Sequence, residues 1–456
     1  MTLTLLLAAV IKLVIVLGFV LQLAPILTWL ERRQSAMMQD RVGPNRADVK
    51  IGDKSFRLAG LLHPLADVIK MFFKADFIPP NSDKLLHSLA PIISLFPPFV
   101  LLAVVPFTDT LCIEALRQGG MMATVGRDGV CAVSQVAGSF PPISGQVVDI
   151  NVGILYVFAM AGMGIIGATL AGWSSDNKFS LMGGLRAGSQ LVSYEVAMGL
   201  SVVGSMMVYG SLRFDEMAKW QDNHVWGIFV QPLGFVLFFA ATLAEGKRAP
   251  FDQPEGESEI VAGYLVEYSG MKFGMFYTGE FVEIVTSSAL VVAIFLGGWA
   301  APFLHRDGLD ISIGSLTLYK HALPHLVVIV LQALTFFGKV SLIVWLLFFV
   351  RWTLPRFRYD QLMKLGWRIM LPAALVNVFL TGVGILAIER AGSEFADRLA
   401  VLGDVINATI AIGALVGFVT IVVGFVSPVK RSPRARTLAM LANRGRHDEH
   451  AATPAE

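Results

Sequence analysis

Hydrophobic positions in this chain come as long unbroken runs rather than as alternating or striped patterns. The runs fall near 3–29, 86–107, 153–173, 188–210, 225–244, 275–299, 323–350, 367–388 and 405–426. A run of roughly 20 apolar residues crosses the hydrocarbon core as a helix. The pattern therefore predicts an all-α fold, a polytopic transmembrane helix bundle of about nine spans. One segment departs from it. Between Gly60 and Phe77, the residues Leu61, Leu62, Leu65, Val68, Ile69 and Phe72 recur at helical spacing, with Asp67, Lys70 and Lys74 interleaved. That periodicity predicts an amphipathic helix lying at a membrane face. The first run lacks a basic leader and is too long for a signal peptide, so it reads as a retained span.

Composition agrees with the pattern. The 456 residues are 55% hydrophobic and 15% charged, well above the apolar share of a soluble domain. The net charge of +2 gives no field that would attract nucleic acid. Lys and Arg concentrate in alternate connectors: Arg32 to Arg57, Lys178 and Arg186, Lys247 and Arg248, Arg351 to Arg368, and the tail from Lys430 to Arg436. The positive-inside rule then sets the N-terminus outside, the C-terminus in the cytoplasm and the amphipathic helix at the inner face. Cys112 and Cys131 share one outer loop, where an oxidising exterior lets them pair as a disulfide; two free thiols are the alternative. The chain has no CxxC or HExxH, and so no metal-binding signature of its own. Gly162-Met-Gly-Ile-Ile-Gly167 matches GxGxxG, but it lies inside an apolar run. Close helix packing explains it better than dinucleotide binding, which needs a strand before the glycines.

Carboxylates are where the sequence becomes unusual. The stretch from Glu245 to Glu259 holds Asp252, Glu255 and Glu257 besides its two ends, and two bases, Lys247 and Arg248. Asp252 is placed to cap a following helix, with Glu255 three residues on, and Glu255 and Glu259 then share a face. A solvated acidic helix start accounts for that much. It does not account for Glu267 after an apolar run, for Glu195 inside one span, or for Glu280 and Glu283 inside another. An ionised carboxylate at mid-membrane costs about 2.5–3.5 kcal/mol, and such groups usually face a wet cavity or a proton path.

These residues carry a resemblance. EGKRAPFDQPEGESEIVAGYLVEYSGMKF (245–273) resembles the signature of the H subunits of proton-pumping NADH:quinone oxidoreductase, respiratory complex I, a family that includes mitochondrial NADH dehydrogenase subunit 1. So do QDRVGPNR (39–46), HPLADVIKMFFK (63–74), DINVGILY (149–156), GGLRAGSQLVSYE (183–195) and PRFRYDQLMKLGW (355–367). The likeness runs over residues 1–390. It implies a membrane subunit of the bacterial inner (plasma) membrane that forms the quinone-access channel. It also implies an acidic proton-coupling route between the redox arm and the pumping arm. The implied coupling acids are Glu195, Glu245, Asp252, Glu255, Glu257, Glu259, Glu267 and Glu280. The implied channel residues are Arg33, Arg41, Asp67, Lys70, Arg248, Phe251, Arg356 and Arg358. On this reading quinone is the substrate, and the chain alone binds no cofactor and holds no complete active site. Iron–sulfur clusters and FMN belong to partner subunits. The partners are soluble iron–sulfur and quinone-site subunits on the cytoplasmic face, small membrane subunits, antiporter-like subunits and lipids.

The segments 47–59 and 108–148 look inserted relative to that family. The organisation expected is a membrane domain over 1–390 with cytoplasmic channel loops, an additional span over 391–426, and a basic disordered tail over 427–456. Two alternatives stay open. The equivalent subunit of a membrane-bound hydrogenase or ferredoxin-linked pump shares the fold. A stand-alone ion transporter predicts inverted repeats, and none is apparent.

Overall fold

The computed structural model describes residues 2–44, 47, 49–51, 54–56, 60–112, 142–313 and 316–426. Its helices follow the apolar runs. In order they are α1 (Thr2–Met38), α2 (Leu62–Phe73), α3 (Lys84–Leu102), α4 (Gly153–Ser174), α5 (Lys178–Tyr209), α6 (Phe214–Asn223), α7 (Gly227–Val230), α8 (Pro232–Glu245), α9 (Glu257–Ile260), α10 (Gly270–Phe295) and α11 (His325–Thr353). Two more follow: α12 (Tyr359–Ala391), which contains a π-helical turn at Leu365–Met370, and α13 (Ser393–Val426). Among the described residues eight helices are long and apolar enough to cross a membrane.

The fifth apolar run, 225–244, is split. Pro232 has no amide hydrogen to donate, and the backbone turns out of helical geometry at Gln231. The result is α7 followed by α8, and α8 has only 14 residues. At 1.5 Å per residue α8 is about 21 Å long, short of a roughly 30 Å hydrocarbon core. The predicted amphipathic segment is α2, whose Leu65, Ile69, Phe72 and Phe73 are all exposed.

Two side chains and one glycine set helix boundaries. Asp83 accepts from the amides of Leu85 and Leu86 at the start of α3 (3.0 and 3.2 Å). Asn177 accepts from the Phe179 amide at 3.0 Å to start α5. Gly210, at φ +65°, ends α5 in the left-handed conformation that glycine adopts without strain. In the glycine motif of α4, a Cβ on Gly167 would stand 2.7 Å from the Ser94 backbone nitrogen. The motif is thus a close helix–helix contact between α4 and α3.

Short strands occur in two connectors: β1 (Val49–Ile51) with β2 (Lys54–Phe56), and the antiparallel set β3 (Leu304–His305), β4 (Gly308–Ile313) and β5 (Leu316–Ala322) in the order β3-β4-β5. The core sits around α10, 83% of whose apolar window is buried, against 50% or less for the other candidate spans. The C-terminus of α10 is held by Lys339 of α11. Its ammonium donates to the carbonyls of Leu296, Gly298 and Ala300 (2.6, 3.1 and 2.5 Å) and lies 4.2 Å from the Trp226 ring centroid. Carbonyls left without helical partners beyond the end of α10 are thereby satisfied inside the protein.

The chain divides into two compact units, Met1–Asp404 and Val405–Glu456. The site described below lies in the first. In the second, the description covers the last part of α13, which is helical to Val426. The expected tail over 427–456 lies outside the described residues, as does Cys131, so the Cys112–Cys131 pairing stays an expectation.

Candidate functional site: a buried row of charges

The acidic stretch leaves α8 at Glu245 and turns inward. Gln190 of α5 is fully buried, and its amide donates to the carbonyls of Ala244 and Phe251 (2.7 and 2.8 Å), pinning both ends of the turn. The segment before α12 ties the other side: the Phe357 amide donates to Pro250 O at 3.1 Å, and the Gln253 side chain donates to Phe357 O. Phe251 is buried between Tyr194 and Phe357, each ring 5.5 Å away. Tyr194 in turn donates to the Leu362 carbonyl at 3.0 Å. The loop is therefore held by residues 54 to 107 positions away, a rigid mount for its charged side chains.

Those side chains form a row. Arg248 is 7% exposed and forks between Glu31 of α1 (2.9 Å) and Glu280 of α10 (3.4 Å). Its guanidinium lies 4.2 Å from the Phe281 ring centroid, a cation–π contact. Glu31 also pairs with Arg351 of α11. Glu280 shares a hydrogen bond with Glu255, which also accepts from the Tyr264 hydroxyl at 3.5 Å. Burial, together with the Glu280 carboxyl beside it, holds Glu255 well above the usual carboxylate range. One turn further along α10, Glu283 stands 3.8 Å from Lys247, itself 5% exposed. Glu245 follows, within electrostatic reach of Glu283, Glu195 and Lys247.

Two small cavities join these last acids. One, of about 20 Å³, is lined by both Glu245 and Glu283. The other, of about 10 Å³, is lined by Glu245 and Glu195. About 10–15 Å³ is the room one water needs. The row therefore passes from Arg351 and Glu31 at one end of α1, through the loop and α10, to Glu195 in the middle of α5. Three bases, Arg351, Arg248 and Lys247, serve six carboxyls: Glu31, Glu255, Glu280, Glu283, Glu245 and Glu195. Acids in such close company take up and release protons as a coupled set.

Of the sequence-derived acids, Glu195, Glu245, Glu255 and Glu280 are thus brought together. Asp252 sits beside the row and pairs with Arg356 at 2.5 Å. It does not cap α9, whose N-cap is Gly256 with no side-chain bond. Glu255 precedes α9 and points into the protein. Glu259 instead pairs with Arg186 at 2.6 Å and is half exposed, so the two do not share a helix face. Glu267 accepts from Asn177 at 2.7 Å, away from the row. The side chain of Glu257 lies outside the described residues.

The basic positions separate in the same way. Arg248, Phe251 and Arg356 belong to the tethered loop and its mount. Arg33 lies over Trp29 at 5.9 Å. Arg41 donates to Gln39 at 2.5 Å, and Asp67 of α2 pairs with Arg32 at 2.6 Å. Lys70 and Arg358 are exposed. None of the eight expected channel residues lines the 570 Å³ cavity between α1, α10 and α11. Sequence reasoning left Glu31, Lys247, Glu283 and Arg351 out of the candidate set. Glu31 and Arg351 end apolar runs beside other charges and look like interface residues. Glu283 had a usable signal, its i,i+3 spacing from Glu280.

Asp252 gives a pH-dependent prediction. Burial lifts its carboxyl to about 6; Arg356 pulls it down, Glu280 pushes it further up and Arg351 pulls it down. A carboxyl raised above its ordinary value stabilises the fold in its neutral form. That contribution is complete below about pH 4 and is lost as pH rises through about 6. Asp252→Asn mimics the neutral form. Above pH 6 the variant should hold residues 246–256 more firmly than wild type, by up to about 3 kcal/mol in hydrogen exchange. The advantage should shrink toward pH 5. Parallel pH profiles for the two proteins would contradict this account.

Comparison with known proteins identifies the family. The family model described as NADH dehydrogenase matches residues 11–382. One of the H subunits of NADH-quinone oxidoreductase in Cytophaga hutchinsonii is 41% identical over 359 residues, covering 79% of this chain and 91% of the relative. An H subunit of the same enzyme in Geobacter sulfurreducens is 39% identical over 372 residues (82% and 93%). The H subunit of Bdellovibrio bacteriovorus is 39% identical over 388 residues (81% and 94%). The chain is therefore an integral membrane protein that belongs to the NADH dehydrogenase family, among the H subunits of NADH-quinone oxidoreductase.

Proposed function

We propose that this chain couples quinone reduction to proton movement, with the loop from Glu245 to Glu259 as the coupling element. The observation that supports this best is the buried row itself. Its loop end, at Arg248, Asp252 and Glu255, is mounted rigidly on α5 and α12. Its other end, Glu195, is deep in a span. A change of charge near Arg248 alters the proton affinity of Glu255 by direct electrostatics, and its effect passes along the row of neighbouring acids. Quinone arrives through a channel built from the inner end of α1, α2 and the 354–358 segment, which carry Arg33, Arg41, Asp67, Lys70, Arg356 and Arg358. The electrons come from an iron–sulfur cluster in a soluble partner, and the FMN and NADH chemistry lies further upstream in that arm. Antiporter-like and small membrane subunits receive the protonation signal. On this reading α7 and α8 cross the membrane together as a ninth pass, the row faces the cytoplasmic side, the N-terminus is outside and the C-terminus inside. The last helix and tail add an anchor beyond the family's matched region.

Glu195→Gln tests the deep end. The variant complex should assemble in normal amount and reduce quinone several-fold more slowly, with a matching loss of proton uptake into vesicles. Unchanged turnover together with unchanged pumping would remove Glu195 from the route.

A further inference from the structure

We propose that the cavity between α1, α10 and α11 is a binding site for an anionic phospholipid, with one acyl chain inside and the phosphate at Lys12. The cavity measures about 570 Å³, within the roughly 300–1,000 Å³ of small-molecule sites. Its walls are apolar: Val16 and Leu27 of α1, Val285 and Ala289 of α10, Phe336 and Val340 of α11. Along α1 the lining runs from Lys12 to Leu30. At 1.5 Å per residue that is about 27 Å, so the slot lies along the membrane normal and is long enough for an extended acyl chain.

Its one charged lining residue is at an end. Lys12 is half-buried, and its ammonium donates to the carbonyls of Ser144 (2.7 Å) and Gln146 (3.0 Å). An ammonium has three N–H donors, so one remains for a ligand. A cation with a spare donor at the mouth of a long apolar slot matches an amphiphile with an anionic head. A quinone carbonyl accepts a hydrogen bond as well, but a phosphate, which carries a full charge, gains more from that cation. The charged row also lies past the other end of the slot, beyond Leu30. Lys12 and Glu31 are 19 residues apart on α1, about the thickness of the hydrocarbon core at 1.5 Å per residue. Lys12 therefore stands at headgroup level on the face opposite the row.

The test uses the intact complex in nanodiscs containing phosphatidylglycerol with a photoreactive group on one acyl chain. Crosslinked peptides are mapped by mass spectrometry. Labelling should concentrate on 16–30 of α1 and 329–345 of α11. Excess unlabelled phosphatidylglycerol should compete several-fold better than phosphatidylcholine. Lys12→Gln should abolish that preference. Ser341→Trp, at an exposed position on the cavity wall, should cut labelling several-fold in complexes that assemble normally. Equal competition by the zwitterionic lipid, or labelling indifferent to both variants, would overturn the proposal. So would displacement of the lipid probe by excess long-chain quinone, which would assign the slot to an isoprenoid tail. The row plays no part in these readouts, so their failure leaves the coupling reading standing.

Discussion

Arg248→Met should remove most of the assembled complex from the membrane. Arg248 is nearly inaccessible and answers two buried carboxylates at once, Glu31 at 2.9 Å and Glu280 at 3.4 Å. Methionine fills much of the same volume and keeps the contact with Phe281, but it leaves both carboxylates facing low dielectric. Removing one partner of a buried pair costs about 3–5 kcal/mol, mainly because the survivor is left uncompensated. At 1.4 kcal/mol per tenfold, that is roughly a hundredfold or more in the folded-to-unfolded ratio. Arg351 relieves Glu31 in part. Arg248→Lys should fall between, since an ammonium keeps the charge but lacks the rigid planar fork that reaches both acids. The mechanism has its own control. Adding Glu31→Gln and Glu280→Gln to Arg248→Met removes the orphaned charges, and complex content on native gels should partly recover. If Arg248→Met alone accumulates like wild type, the three groups are not energetically linked as the geometry implies.

Much of the fold was legible because membrane insertion is a local problem. A run of apolar residues must satisfy its own backbone, so length and composition suffice to place α1, α3, α4, α5, α10 and α11. What the sequence hid is non-local. The antiparallel pairing of Gly308–Ile313 with Leu316–Ala322 depends on register between two short segments in a connector. The acidic loop is the clearer case. Local rules gave Asp252 a capping role and put Glu255 and Glu259 on one face. Both readings fail because the loop is positioned by Gln190 and Phe357, remote partners that propensity cannot see. Glu280 and Glu195 were found by a cost argument, carboxylates too deep to be free of purpose. Glu31 escaped it because two arginines follow at once, and a charge at the end of a span needs no special reason.

Glu245→Gln should be the substitution that separates assembly from coupling most sharply. Glu245 lines both small cavities, with Glu283 across one and Glu195 across the other. On the proposed route Glu245 is the acid between α10 and α5. Glutamine has nearly the same shape and can fill the same space, but it neither binds nor releases a proton. The change takes one acid out of a group short of bases and leaves no cation without its partner, so it should not destabilise the protein, and native-gel content should match wild type. A positioned proton-transfer group is commonly worth about 10²–10⁴-fold in rate. Waters in two cavities this small offer no detour around the missing carboxyl. Quinone reduction that is tied to proton movement should fall about tenfold or more, while NADH oxidation by an artificial acceptor in the soluble arm should stay normal. Glu245→Asp keeps the acid but shortens its reach by one methylene, so it should restore part of the rate. The idea is lost if Glu245→Gln pumps and turns over at the wild-type rate. A variant defective in both assays, with normal content and partial rescue by aspartate, would assign Glu245 the exchange of protons between the two helices.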